Sequence, residues 1–443
     1  MTMVSIGTTP KVFCHALLGL LLAVARVGQG AHSEGRTAQI ATSVPGERAR
    51  GAFDFVNSIG VNTHLNYFDR LYGNFPLVQR ELESAGIRHL RDGLHFQDPG
   101  YNKLLYGRWA ELARVGIRFN VVLDPRSKLG PDLAQAIENG EQMSGQAIES
   151  IEGANELDIS GMPEWTAADR AFQGAIFAAA RSVHAGSPIQ VIGPSMAFAA
   201  HGAQLGDLSD YIDEGNLHPY PAGKIPSVVF PEQTDFAETV SGAKPVVFTE
   251  SGYHNALNDH TDQPAVSELA ASKYIPRLFL EDFAHGIART YLYEFLDEAP
   301  DPQLKNNQFH WGLIRSDGTE KPAFTALKNL ITELSDRSEP DHPDTLKWSI
   351  SASDPQIHHL LLEKSNGEFD LVLWREVASF DPRGQVDLNN PPVATELTLD
   401  RTAAHFTVYE PATQSDPVAA FTSRASIPLK IPDQPLVISI SLR

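Results

Sequence analysis

The chain has 443 residues and a formal net charge of −20, with 42% hydrophobic and 20% charged residues. That composition excludes whole-chain disorder, collagen and a pure coiled coil, and the length suits one large domain plus a small one. The acidic balance argues against a nucleic-acid binder and against a polybasic membrane-surface protein, both of which need a basic face. A neutral ligand stays compatible.

At the N-terminus, Lys11 precedes the apolar run Val12–Ala25, and the small residues GQGA follow at 28–31. The run has the length of a signal-peptide core and is short for a membrane span, so residues 1–31 read as an export signal, cleaved near Ala31. A buried N-terminal helix is the alternative. No later stretch is long and apolar enough to span a bilayer. The single cysteine, Cys14, lies inside this segment, so the processed chain would carry no disulfide and no thiolate metal site. There is no Asn-x-Ser/Thr sequon, which leans toward a bacterial exported protein, secreted or periplasmic.

Residues 32–50 are polar and read as a linker. From Phe53 to about Ser335, short β-rich runs alternate with helical stretches. The runs are Ser58–Val61, Ile87–Arg91, Phe119–Leu123, Ser150–Gly153, Gln190–Gly193, Gly215–His218, Pro245–Thr249 and Arg289–Phe295. Helical periodicity marks Phe75–Ala85, Leu104–Val115 and Ala168–Ala185. Small residues lead from helix into strand, as in AGIRHL and VGIRFN. Repeated βα units demand parallel pairing, and eight of them match a closed (β/α)8 TIM barrel over residues 51–338. An open doubly wound sheet would want a Gly-rich turn after its first strand, and IGVNTHLN is not one. Beyond the polar stretch 335–344 the pattern becomes alternating apolar and polar, with a hairpin signal at Asn366-Gly367. Residues 339–443 therefore read as a small C-terminal antiparallel β-sandwich. Trp348, Trp374 and Tyr409 lie in its apolar strand patterns, where core is the default reading.

Reactive groups of such a barrel gather at the C-terminal strand ends. Those ends carry Asn62 and His64, Arg91 and Asp92, Asp124, Asn155-Glu156, His218-Pro219-Tyr220, Thr249-Glu250 and Tyr293-Glu294, with Trp311 in the last loop. Glu156 and Glu250 follow the fourth and seventh strands. Two carboxylates facing one bond can divide glycoside cleavage, one protonated as acid and one ionised as nucleophile. Taken singly, either could be a solvated surface acid; the joint placement makes the case.

These residues resemble the clan A glycoside hydrolases, nearest in layout to families 39, 30 and 5. In that clan the acid/base usually follows an Asn after strand 4, as Glu156 does in EGANELD, and the nucleophile ends strand 7, as Glu250 does in VVFTESGYH. An Arg on strand 2 and a His-x-Tyr after strand 6 are matched by Arg91 in HLRDG and by His218 and Tyr220 in NLHPYP. The resemblance covers roughly residues 53–335. It implies a retaining O-glycosidase acting on a poly- or oligosaccharide by double displacement. Glu250 would be the nucleophile and Glu156 the acid/base. Arg91 would orient Glu250, and Asn155 would bond the sugar 2-hydroxyl. His218 and Tyr220 would position Glu250 or the sugar, and His64 and Asn62 would bind other hydroxyls. One departure is that strand 8 reads YLYEFLDE without the clan's Trp, leaving the stacking platform to Trp311, Tyr293 or Phe295. Alternatives are a carbohydrate-binding protein on the same scaffold and a transglycosidase. No catalytic metal and no cofactor are expected, because neither His358-His359 nor His254 with Asp259 and His260 has a metal-ligand spacing. No GxSxG elbow is present, so a Ser nucleophile is not expected. The partner expected is a saccharide, with no nucleic acid and no membrane span, and the chain is expected to be a monomer.

Overall fold

The computed structural model describes residues 44–442, apart from 128, 130, 131, 184–187, 262 and 341, and apart from the side chains of residues 44, 45, 231, 232, 234, 235 and 237. The export-signal segment lies outside the described residues. Two architectures follow one another in the chain, a parallel barrel and a C-terminal antiparallel sandwich.

The barrel strands are Ile59–Asn62, His89–Gly93, Arg118–Val122, Ile148–Glu152, Gln190–Ile192, Gly215–Leu217, Val246–Ser251 and Arg289–Leu292. All the pairings between neighbours are parallel, and the first strand pairs with both the second and the eighth. Between the fifth and sixth strands the ring is completed by the bridge Ile192–Glu214 and by the Gly193 amide donating to the Glu214 carbonyl at 2.9 Å. Each expected strand is present. The eighth is shorter than its apolar pattern suggests, because the Glu294 and Phe295 amides turn away to the carbonyls of Trp311 and Asn62.

Local chemistry sets the helix bounds. Asp98 caps helix Pro99–Arg114 by accepting from the Gly100 and Tyr101 amides, with Pro99 at the first helical position. That helix starts five residues before the expected Leu104, since Pro and Gly obscure the periodicity there. Helix Phe75–Ala85 ends at Gly86, which takes the left-handed conformation at φ 73°.

The barrel interior is polar rather than aliphatic. At the floor, His89 bonds Glu149 at 2.7 Å and Asn57 at 2.8 Å, and Arg289 meets the same Glu149. This leaves the apolar core between strands and helices, around Leu90, Trp109, Phe119, Ile151 and Leu292.

The C-terminal strands include Thr345–Ile350, Ile357–Glu363, Phe369–Arg375, Val393–Tyr409, Ala419–Ile431 and Leu436–Ser441. Strand Val393–Tyr409 has an irregularity between Thr398 and Ala403, so its first part pairs with Thr345–Ile350 and its last part with Leu436–Ser441. A separate core forms around Trp348, Leu371, Phe406 and Ile438. The Asn366-Gly367 turn joins two strands as expected, with Gly367 at φ 81°. Trp348 and Trp374 are buried and Tyr409 is half-buried, in keeping with the core reading.

One expectation needs correcting. Residues 44–48 of the supposed linker form a strand paired with Thr345–Ile350, and Arg50–Gly51 pairs with Ile357–Glu363. The polar VPGER gives no strand signal of its own; its backbone groups are satisfied by a partner about 300 positions away.

Helix Glu268–Ala284 is buried on nearly every side because the sandwich covers its outer face. Arg277 meets Glu376 at 2.6 Å, and Lys273 meets Asp433 at 2.9 Å. Glu281 accepts from Trp374 Nε1 at 2.8 Å and pairs with His358 at 2.6 Å. Burial pulls the His358 pKa down, but Glu281 outweighs it and holds His358 above its ordinary value. The contribution is therefore complete below the unfolded histidine value of about 6.5 and is lost as pH rises through the higher native value. Thermal midpoints measured across that range should fall with pH more steeply in the wild type than in His358→Gln. Parallel profiles would show that the pair adds no stability.

Candidate active site

Arg91 is the centre of the barrel mouth. It projects from the second strand and is 5% exposed. All five of its N–H groups are used. Nε and Nη2 each donate to Glu152 at 2.7 Å, a bidentate contact. Nη1 donates to Glu250 at 2.6 Å and to Asn62 at 2.8 Å, and Nη2 also donates to Asn155 at 2.7 Å. A planar fork reaching four acceptor residues at three strand ends is something only an arginine provides.

Glu250 sits in the seventh strand, and its other oxygen accepts from the Tyr220 hydroxyl at 2.7 Å. Burial pushes the Glu250 pKa up, but His218 and then Arg91 overcome that and hold it below the ordinary carboxylate range. Both carboxylate oxygens are thus held by hydrogen bonds.

Glu156 follows the fourth strand and has a left-handed backbone at φ 48°. Its amide bonds both the carbonyl and the hydroxyl of Ser195 at 3.2 Å, and Asn155 bridges to Ser195. The end of the fifth strand thus pins the conformation that turns Glu156 into the mouth.

His218 links the two glutamates. Its Nδ1 lies 2.9 Å from Glu156 and 3.6 Å from Glu250, while Nε2 contacts the Thr249 hydroxyl at 2.9 Å. Burial lowers the His218 pKa, yet Glu250 and Glu156 raise it further than burial lowers it. The balance of Arg91 and His218 against Glu152, Glu156 and Glu250 keeps three carboxylates within one small volume. Carboxylate oxygens of Glu156 and Glu250 approach within 4.8 Å.

The other expected residues are placed as follows. Asn62 is 2% exposed and commits its amide to the Thr249 carbonyl at 2.9 Å, so it braces Arg91 from below rather than facing open space. His64 is partly open and stacks on Tyr67 with centroids 4.7 Å apart. Burial holds the His64 pKa below its ordinary value. Tyr293 reaches His64 at 3.4 Å. Trp311 lies edge-on to Tyr220 at 5.1 Å and near Tyr293 at 6.0 Å, which puts an aromatic wall beside Glu250. Gly312 makes this possible, since a Cβ there would sit 2.1 Å from the Asp297 amide nitrogen. Phe295 is fully buried in the core and presents no face to the mouth.

Sequence reasoning missed Glu152, Asn120 and Asn216, and gave Thr249 only as a strand end; together they form a supporting layer. Glu152 has no exposed surface and accepts from Arg91, from Asn120 at 2.8 Å and from Thr249 at 3.0 Å. The signal was present: Ser150 and Glu152 occupy alternate positions of a strand, and a polar pair at that spacing marks the interior of a polar barrel.

No family model and no curated relative matches this sequence. Solved structures do match the fold. A monomeric β-xylosidase from Caulobacter crescentus CB15 is 14% identical with a TM-score of 0.61, covering 89% of this chain and 98% of that one. A GH39 enzyme from Xanthomonas axonopodis pv. citri is 13% identical with a TM-score of 0.58, covering 89% and 96%. A glucosidase from Croceicoccus marinus is 10% identical with a TM-score of 0.58, covering 91% and 98%. Barrel and trailing sandwich are shared along nearly the whole of these chains.

Proposed function

We propose that this protein is a retaining O-glycosidase that cleaves a poly- or oligosaccharide by double displacement. The observation that carries the reading is the Glu156–Glu250 pair, with one oxygen of each within 4.8 Å of the other at one open mouth and Glu250 bonded by Arg91 and Tyr220. Retaining enzymes keep their carboxyl groups about 5–5.5 Å apart, whereas inverting enzymes leave room for a water at about 6.5–9.5 Å. The titles of the structures similar in fold, a β-xylosidase, a GH39 enzyme and a glucosidase, support the same class.

In this reading Glu250 attacks the anomeric carbon and forms a glycosyl ester while Glu156 protonates the departing oxygen. Glu156 then takes a proton from water, which attacks the same carbon and frees Glu250. His218 sits between the two carboxylates and shares the hydrogen-bonded proton with Glu156. Asn155, held through its carbonyl oxygen by Arg91, keeps its amide for the sugar 2-hydroxyl. Trp311 and Tyr293 line the apolar face of the ring. The N-terminal segment 1–31 belongs to the same proposal as an export signal, which places the enzyme where extracellular or periplasmic glycans occur.

Glu156→Ala tests the division of roles. With a poor leaving group it should lose roughly 10²- to 10⁴-fold in kcat/KM, the usual worth of general acid catalysis. With a dinitrophenyl glycoside the first step needs no acid, so kcat/KM should be largely kept while kcat falls, and added azide should restore turnover. An equal loss on both substrates would remove Glu156 from the acid/base role.

A further inference from the structure

A second cluster adjoins the mouth, and two of its three members have no part in the proposed reaction. His64 comes from the segment after the first strand; Glu294 and Glu298 come from the segment after the eighth. One ligating atom of each lies within 4.8 Å of the others. Glu294 has no exposed surface, and among the described residues neither of its carboxylate oxygens has a hydrogen-bond partner. His64 Nε2 stands 3.2 Å from Glu294 Oε2. Glu298 has one charged partner, Arg70 at 2.8 Å. The nearby Lys321 is committed to Asp297, Asn255 and the His310 carbonyl.

A buried carboxylate whose one close donor is an imidazole nitrogen at 3.2 Å is unfavourable unless it is protonated or meets a cation. One proton, however, supplies one donor, and it leaves a second carboxylate and an imidazole nitrogen within 4.8 Å. A single cation satisfies all three.

We propose that His64, Glu294 and Glu298 bind one divalent first-row transition ion, of the zinc or manganese class. The donor set of one imidazole and two carboxylates suits such ions, whereas calcium favours six to eight oxygens. The spacing agrees. Two ligands about 2.1 Å from an ion are roughly 3.0 Å apart at a right angle and roughly 3.4 Å apart at a tetrahedral angle, bracketing the His64–Glu294 distance. The ion ties the ends of the first and eighth strands and fixes the His64 ring beside the sugar pocket. Glu156, His218 and Glu250 also converge within 4.8 Å, but there Arg91 and Tyr220 already supply donors to Glu250.

The test is binding to the whole chain, independent of any glycosidase activity. Protein stripped with chelator is titrated with zinc chloride and with manganese chloride by calorimetry, and the retained ion is counted by elemental analysis after dialysis. One ion per chain is expected. Glu294→Gln and His64→Asn should each weaken it by more than the roughly 10- to 100-fold typical of outer-shell changes, with circular dichroism unchanged. Having two variants from different strands covers the case in which one does not fold. Glu156→Gln should leave the affinity unchanged. No stoichiometric ion with either metal would overturn the proposal, as would binding that survives Glu294→Gln and disappears in Glu156→Gln.

Discussion

Glu250→Ala is expected to remove turnover of every substrate by about 10⁴-fold or more, on the scale seen when a covalent nucleophile is deleted. The physical reason is that no other group can take its place. Glu152 is the nearest carboxylate on Arg91, but it has no exposed surface and lies under the mouth. Folding should survive, since the variant removes one carboxylate from Arg91 and leaves the bidentate Glu152 contact. The cavity left by the shortened side chain also makes a chemical prediction. Azide entering it attacks the anomeric carbon from the nucleophile's face and should give a glycosyl azide of inverted configuration from an activated aryl glycoside. Rescue with that stereochemistry, read by NMR, identifies the residue's role as well as its importance. Wild-type rates in Glu250→Ala would remove it from the mechanism.

Arg91→Met should have the largest effect on stability. The substitution deletes five hydrogen bonds at once and leaves Glu152 and Glu250 without their cation. Breaking a buried ion pair by removing one partner costs about 3–5 kcal/mol, a large part of a typical folding free energy of about 5–15 kcal/mol. The urea midpoint should drop accordingly. Arg91→Lys should rescue little, because a single ammonium cannot span four acceptor residues at three strand ends. Activity should change in a defined direction. Glu250 must be ionised to attack, and the Arg91 charge is one of the groups that lower its pKa. Without that charge the pKa rises, so the acid limb of kcat/KM moves to higher pH in whatever fraction stays folded. An unmoved limb and midpoint would show that Arg91 does neither job.

Much of this architecture was legible because barrel units repeat a local code. A small residue after each helix and an apolar run of four to six residues mark a strand wherever they occur, and strand ends then locate Glu156, Glu250, Arg91 and His218. The supporting layer was harder. The alternation of Ser150 and Glu152 points Glu152 inward, but its partners Arg91, Asn120 and Thr249 lie on three other strands that no local pattern links. The strand Val44–Arg48 was invisible because Pro45 and Gly46 disfavour an isolated strand, and the pairing with Thr345–Ile350 supplies what the local sequence lacks. The placement of Trp311 depends on the close approach of Gly312 to Asp297, which no periodicity encodes. His64 and Glu294 meet across the seam between the first and eighth strands, about 230 positions apart in the chain, so no spacing motif could announce them.

The most direct test of the central claim is to trap the covalent intermediate. The wild-type protein is incubated with a panel of 2-deoxy-2-fluoro glycosides bearing dinitrophenyl leaving groups, and intact mass is followed by peptide mapping. The account expects a gain of one fluoroglycosyl group, located on the peptide that contains Glu250, with loss of activity in step. Attachment to a different residue, or hydrolysis of a glycoside with inversion at the anomeric carbon and no adduct, would contradict it.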